Sequence, residues 1–286
     1  MMGRHGGRPY KVSKGIVNMA TTIQQLESMK AAHEARLLDA EARGQVMDPL
    51  LFPRRYADPA DQEVAAFIAQ GLAFGRISLF APKLESIFEA LGPSPKAAVQ
   101  AFPARGELLP GFVYRFFKAE DLHCFLYLTG QMLRRSGSIE AFFLEGYRPG
   151  DMKASLGSFV ERALALPIDG YYDSTHVPPG ARVRYFLPHP RTGASKRLCL
   201  FLRWMVRRES PDLGVWQRVS PADLVIPLDT HIAQQAKRLG WLTGSSLNWA
   251  AAVKVTEALR PYSPDDPLRY DFALCHDNIV QALKGR

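Results

Sequence analysis

The residues best placed to do chemistry lie in V-I-P-L-D-T-H-I, residues 225–232, where a proline stands two residues before an aspartate that opens a helix. Asp229 suits an N-cap: its carboxylate can accept from free N–H groups of the first turn, and the helix dipole favours its charge. Upstream, a turn around Gly193 leads into Lys196-Arg197 and the helix of G-A-S-K-R-L-C-L-F-L. A turn, a basic helix start and then a Pro-x-Asp helix start can bring an amine and a carboxylate to one cleft. The plainer alternative is a capping aspartate and basic residues that touch phosphate groups.

Other candidates carry less chemistry. His231 follows Asp229 by two positions, a helical spacing that points side chains apart, so a metal pair is not expected. His123, His176, His189 and His276 lack ligand-like spacing. The three cysteines, Cys124, Cys199 and Cys275, lie far apart without a C-x-x-C pair, which excludes a disulfide framework and is too few for a four-cysteine iron–sulfur cluster. No metal or other cofactor is expected. Trp204, Trp216 and Trp241 suit the core, with Trp216, beside Arg218, the one to test for base stacking. Tyr171, Tyr172 and Tyr185 suit either a pocket wall or apolar anchors.

The elements that must position these residues read as helices almost throughout, with strand-like alternation nearly absent. Apolar periodicity predicts helices over 21–42, over A-D-Q-E-V-A-A-F-I-A-Q-G-L-A-F-G after Asp58-Pro59, and over 76–91, 95–102, 118–135, 138–146 and 152–165. Residues 166–191 form a long Pro-rich loop without helical period, a length that is usually functional or disordered. Helices return over 193–209, 228–241, 245–260 and 265–284, with Ser245 or Ser246 as a cap and Gly240 as a stop. The fold class is all-α. The Gly- and basic-rich segment 1–20 reads as a flexible tail, and 21–286 as a single domain.

Charge is unevenly spread. The chain carries 36 Lys and Arg against 28 Asp and Glu, and residues 181–218 hold nine basic residues against Glu209 and Asp212. A basic excess confined to one interior segment suggests a surface that faces a polyanion, nucleic acid first. The apolar runs, such as C-F-L-Y-L at 124–128, are too short to span a bilayer, and no secretory signal is present, so a cytoplasmic protein is expected.

P-L-D-T-H-I-A-Q-Q-A-K-R-L-G-W-L, followed by a helix and Y-D-F-A-L-C-H-D-N-I-V, resembles the C-terminal half of the helix-hairpin-helix base-excision DNA glycosylases, the superfamily of endonuclease III. F-I-A-Q-G-L-A-F-G and Y-R-F-F-K-A-E-D-L-H-C-F-L-Y-L resemble the earlier helices of that superfamily, so the likeness covers about residues 60–284. D-P-L-L-F-P-R-R-Y-A-D-P-A-D-Q-E-V-A-A-F-I-A, K-R-L-C-L-F-L-R-W-M-V-R-R and I-P-L-D-T-H-I-A together resemble more closely a bacterial family catalogued as a domain of unknown function, number 2400.

The resemblance implies a two-lobed, all-α helix-hairpin-helix bundle with the hairpin and catalytic region at 187–240. It implies a monomeric DNA glycosylase of the nucleoid that excises a damaged or mismatched base from double-stranded DNA, with abasic-site lyase activity where the lysine is in place. Asp229 corresponds to the aspartate that stabilises positive charge developing on the deoxyribose or that activates the attacking nucleophile. Aligning Gly193-Ala194-Ser195 with the superfamily's G-V-G puts Arg197 on the nucleophile position and Lys196 one place early; an arginine stays protonated and cannot form a Schiff base, and a one-residue adjustment of the turn restores Lys196. The hairpin keeps one glycine where the superfamily has two. Gly193, Ser195, Arg197, Arg203, Arg191, Thr230, His231 and Arg76 are the residues expected to contact DNA, with Phe74 and Arg76 near the place where a side chain enters the duplex. The alternative is a non-catalytic nucleic-acid-binding protein that keeps the same fold.

Overall fold

The computed structural model of the chain describes residues 14–275. Ten α-helices lie among these residues: α1 (Lys14–Ala42), α2 (Pro59–Leu72), α3 (Ile77–Leu91), α4 (Pro95–Ala101), α5 (Ala119–Ser136), α6 (Ile139–Leu144), α7 (Met152–Leu164), α8 (Lys196–Val206), α9 (Thr230–Arg238) and α10 (Trp249–Leu259). The chain is all-α in class, apart from a small antiparallel hairpin, β1 (Val113–Tyr114) and β2 (Phe117–Lys118), in which Val113 faces Lys118 and Tyr114 faces Phe117. Two residues per strand are too few for alternation to register in the sequence. Arg4, Arg8, Lys11 and His276 lie outside the described residues.

The two helices with the most buried residues, α2 and α5, organise the core. Asp58 starts α2 as expected, its Oδ1 accepting from Ala60 N at 2.8 Å ahead of Pro59. Inside α2, Asp61 and Glu63 are buried, yet each serves the start of another helix. Asp61 Oδ1 accepts from Ser94 Oγ and Lys96 N, both at 2.8 Å, at the start of α4. Glu63 accepts from Ile139 N at 2.9 Å and Glu140 N at 2.7 Å at the start of α6, where the unpaired N–H groups and the dipole favour a carboxylate. Its third partner is Trp216 Nε1 at 2.7 Å. Trp216 is therefore a buried core residue, and the stacking role considered for it is corrected.

Where α4 crosses α5, Gly130 permits the contact: a Cβ there would come within 2.3 Å of the Val99 carbonyl oxygen. That atom is backbone and cannot swing aside. Gly130→Ala is expected to lower stability by about 1–3 kcal/mol, read as a lower urea midpoint with unchanged slope.

The 166–191 loop is ordered by burial. It holds two short 3-10 turns, Tyr171–Asp173 and Arg182–Phe186. Phe186 stacks between Phe117 and Phe125, with ring centroids 4.0 and 4.4 Å away. Tyr171 and Tyr172 act as anchors, their hydroxyls donating to Gly106 O at 3.3 Å and Asp121 Oδ1 at 2.6 Å.

Three of the expected helices differ most from those observed. α1 begins seven residues earlier than the predicted start, at Lys14. α10 begins at Trp249 because Asn248, not Ser245 or Ser246, caps it, accepting from Ala251 N at 3.0 Å. Residues 265–275 are turns and a 3-10 segment, Asp271–Cys275, in place of a helix. There the backbone bonds reach only three residues back, as in Arg269 N to Asp266 O at 3.0 Å and Asp271 N to Leu268 O at 3.2 Å. The remainder of the expected 265–284 helix lies outside the described residues.

Candidate functional site

The start of α8 is set by its N-cap. Ser195 adopts the left-handed region (φ 48°, ψ 34°), is buried, and donates its Oγ to Pro188 O at 2.8 Å. Gly193, expected to be the special residue of this turn, is not among the positive-φ glycines; the left-handed residue is Ser195. A valine side chain is strained in that region by its branched Cβ and lacks the hydroxyl bond, so Ser195→Val is expected to cost about 2 kcal/mol or more in chemical denaturation, and Ser195→Gly less.

With Ser195 so placed, Lys196 is the first helical residue, and its Nζ donates to Asp229 Oδ2 at 3.0 Å. Asp229 is the N-cap of α9, its Oδ1 accepting from Ile232 N at 2.8 Å. Capping thus occupies one carboxylate oxygen and leaves the other for the amine. The two side chains are 39% and 33% exposed, open enough to meet a ligand and close enough to act together. Arg197 points elsewhere. Its guanidinium lies 5.0 Å from the Phe74 ring centroid and donates to Gly71 O and Tyr185 O. Loss of hydration by burial pushes that guanidinium down to about 10. Of the two basic residues left open by the sequence, Lys196 is the one that meets Asp229.

Lys196 and Asp229 border a cavity of about 270 Å³ whose other polar residues are Asp48, Arg203 and Asp271. Ile77, Phe80, Leu200 and Ile232 supply apolar wall. Burial pushes the carboxyls of Asp48 and Asp271 up. Asp48 Oδ1 accepts from Leu50 N at 2.8 Å, while Asp271 Oδ2 lies 3.1 Å from Arg203 Nε. Neither aspartate stood out in the sequence; the signals that could have found them are the Asp48-Pro49 helix-start pair and Tyr270-Asp271-Phe272 inside an apolar run.

The remaining expected contact residues divide by exposure. Arg76, Arg191, Thr230 and His231 are exposed, and Gly193 is partly so. Arg191 pairs with Glu161 at 3.1 Å. Arg203 is corrected: it is 2% exposed, held by Asp212 at 3.2 Å and by Asp271, and its guanidinium lies 3.7 Å from the Phe272 ring centroid. A buried guanidinium with these partners does not reach a phosphate. Among the described residues no group of three or more His, Cys, Asp or Glu is placed to hold a metal ion. No described helix is long and apolar enough to cross a membrane.

What fold and site define is a mostly helical protein with a partly exposed amine–carboxylate pair, drawn from two helix starts, at a small polar cavity. The chain belongs to the family described as protein of unknown function (DUF2400), whose model matches residues 48–280. Comparison with curated proteins and with solved structures returned no match.

Proposed function

We propose that this chain is a DNA glycosylase of helix-hairpin-helix architecture that excises a damaged or mismatched base from double-stranded DNA. The single observation that carries the reading is the Lys196–Asp229 contact at 3.0 Å, made between two helix starts that are 33 residues apart. In such a reaction the flipped nucleotide enters the cavity and the glycosidic bond breaks through a cation-like deoxyribose. Asp229, fixed by its cap bond, stabilises charge as it develops. Lys196, after giving up a proton, attacks C1′ as the base leaves with the bond's electron pair. Opening of the sugar ring then leaves a Schiff base. The proposal includes a monomeric, cytoplasmic protein that works on the nucleoid.

The test is a screen of duplexes bearing uracil, 8-oxoguanine or an abasic site, run with wild type, Asp229→Asn and Lys196→Gln in the presence of borohydride. Strand products that appear after hot alkali in a parallel reaction without borohydride, present with wild type and lost with Asp229→Asn, support the proposal, since base loss alone leaves the strand intact. An adduct with wild type that is lost with Lys196→Gln assigns the Schiff base to Lys196. Binding without products on any of these duplexes favours the second reading, a non-catalytic nucleic-acid-binding protein. The observation on that side is Ser195, a buried serine where the resemblance implies a glycine that lets backbone N–H groups approach phosphate.

A further inference from the structure

Three segments far apart in the chain, 64–84, 108–119 and 174–208, contain no aspartate or glutamate. The fold brings them together. Tyr114 OH donates to Phe74 O, Arg182 Nη1 donates to Phe116 O at 2.6 Å, and Arg197 donates to both Gly71 O and Tyr185 O. Phe116, in the turn of the β1–β2 hairpin, meets Tyr185 edge-on with centroids 5.1 Å apart and lies 5.7 Å from Phe74. Large aromatic side chains are seldom left in water, yet Phe116 is 38% and Tyr185 56% exposed. Arg76, Arg115, Lys118 and Arg182 are exposed around them. The hairpin closes over Gly75, where a Cβ would lie 3.1 Å from Arg115 Nη1, and Gly75 itself lines the cavity of Lys196 and Asp229.

Exposed rings among exposed guanidiniums, on three segments that carry no acid of their own, match a strand whose bases are unpaired: bases stack on the rings and phosphates meet the guanidiniums. We infer that Phe116 and Tyr185 form a platform that takes up unpaired bases, with Arg76, Arg115 and Arg182 on the flanking phosphates. The charge of the face selects nucleic acid, and the rings select its unpaired part, since a fully paired duplex offers phosphates but no free base faces. The platform adjoins the cavity, so under the proposed function it would hold the bases beside the nucleotide that enters; only that last step rests on the proposed function.

The experiment uses the full chain and two fluorescein-labelled duplexes of equal length, one fully paired and one with a two-nucleotide bulge, followed by fluorescence anisotropy. Wild type is expected to prefer the bulged duplex. The Phe116→Leu/Tyr185→Leu double variant, which keeps apolar volume without ring faces, should lose about tenfold in affinity for the bulge and keep its affinity for the paired duplex. Tyr185→Phe, which keeps the ring, should retain the preference, and thermal unfolding checks that each variant is folded. If the double variant does not fold, the single Leu variants replace it. A preference left intact in the Leu variants overturns the platform, as does a wild type that binds neither duplex at low salt. Excision measured with the same variants on the lesion-bearing duplexes of the proposed function separates the two ideas. Lost preference without any excision by wild type leaves the platform and removes the glycosylase, whereas excision with the preference intact in the Leu variants does the reverse.

Discussion

Asp229→Asn is expected to slow single-turnover base excision at least about a hundredfold, equivalent to about 2.7 kcal/mol or more of lost transition-state stabilisation. The variant isolates charge because asparagine is also a strong N-cap, so α9 keeps its first-turn bond to Ile232 N. The ion pair to Lys196 is lost, but both partners are about one-third exposed, and such pairs contribute about 0–1 kcal/mol to stability. Folding and catalysis should therefore separate: a urea midpoint close to wild type, with excision nearly abolished. Under the proposed function, affinity for a lesion duplex and its dependence on salt should change little, because the exposed arginines proposed to meet phosphates are untouched. Lys196→Gln tests the partner. If Asp229→Asn retains wild-type turnover on a substrate that the wild type excises, the carboxylate has no electrostatic part in the reaction.

The caps at Asp58 and Asp229 were legible in the sequence, whereas α8 was legible from its apolar period alone. Asp58 and Asp229 are N-caps because a short acceptor followed by an apolar period leaves few other conformations. The choice between Lys196 and Arg197 was not legible. Neighbouring residues of a helix point about 100° apart, so the left-handed turn at Ser195 decides which of them faces Asp229. The glycine beside it, Gly193, was a misleading cue, since serine takes the special conformation with a buried hydroxyl bond as compensation. Charge read along the chain also misled. Part of the basic excess of residues 181–218 lies inside the protein, because Arg203 and Arg207 meet acids supplied near position 212 and from Asp266 and Asp271. Trp216 is buried for the same kind of reason, its acceptor Glu63 lying 153 residues away. Pairings over such separations leave no trace in local periodicity, and neither did the meeting of Asp48 and Asp271 at one cavity.

Asp212→Ala is expected to destabilise the protein by about 3–5 kcal/mol, the range found when one partner of a buried ion pair is removed. Arg207 is 1% exposed and the Asp212 side chain fully buried. Arg207 also donates through Nε to Asp266, at 3.0 and 2.9 Å, and Arg203 reaches both Asp212 at 3.2 Å and Asp271 at 3.1 Å. Removing Asp212 leaves two guanidiniums without the carboxylate between them, in a site whose burial keeps bulk water from replacing it. The exposed pair Arg43–Asp39 provides the contrast, since Arg43→Ala should shift stability by less than about 1 kcal/mol. Both are read as urea midpoints at unchanged slope. The cluster also ties α8 to the 265–275 segment, and through Asp271 and Arg203 it borders the cavity. Asp212→Ala should therefore weaken the site as well as the fold. Replacing both members, Arg207→Met with Asp212→Leu, should cost less than the sum of the single losses, because each single change strands a charge that the double change removes. Equal losses for Asp212→Ala and Arg43→Ala would mean that burial adds nothing to this pairing, and the cluster would then have no part in holding the cavity wall.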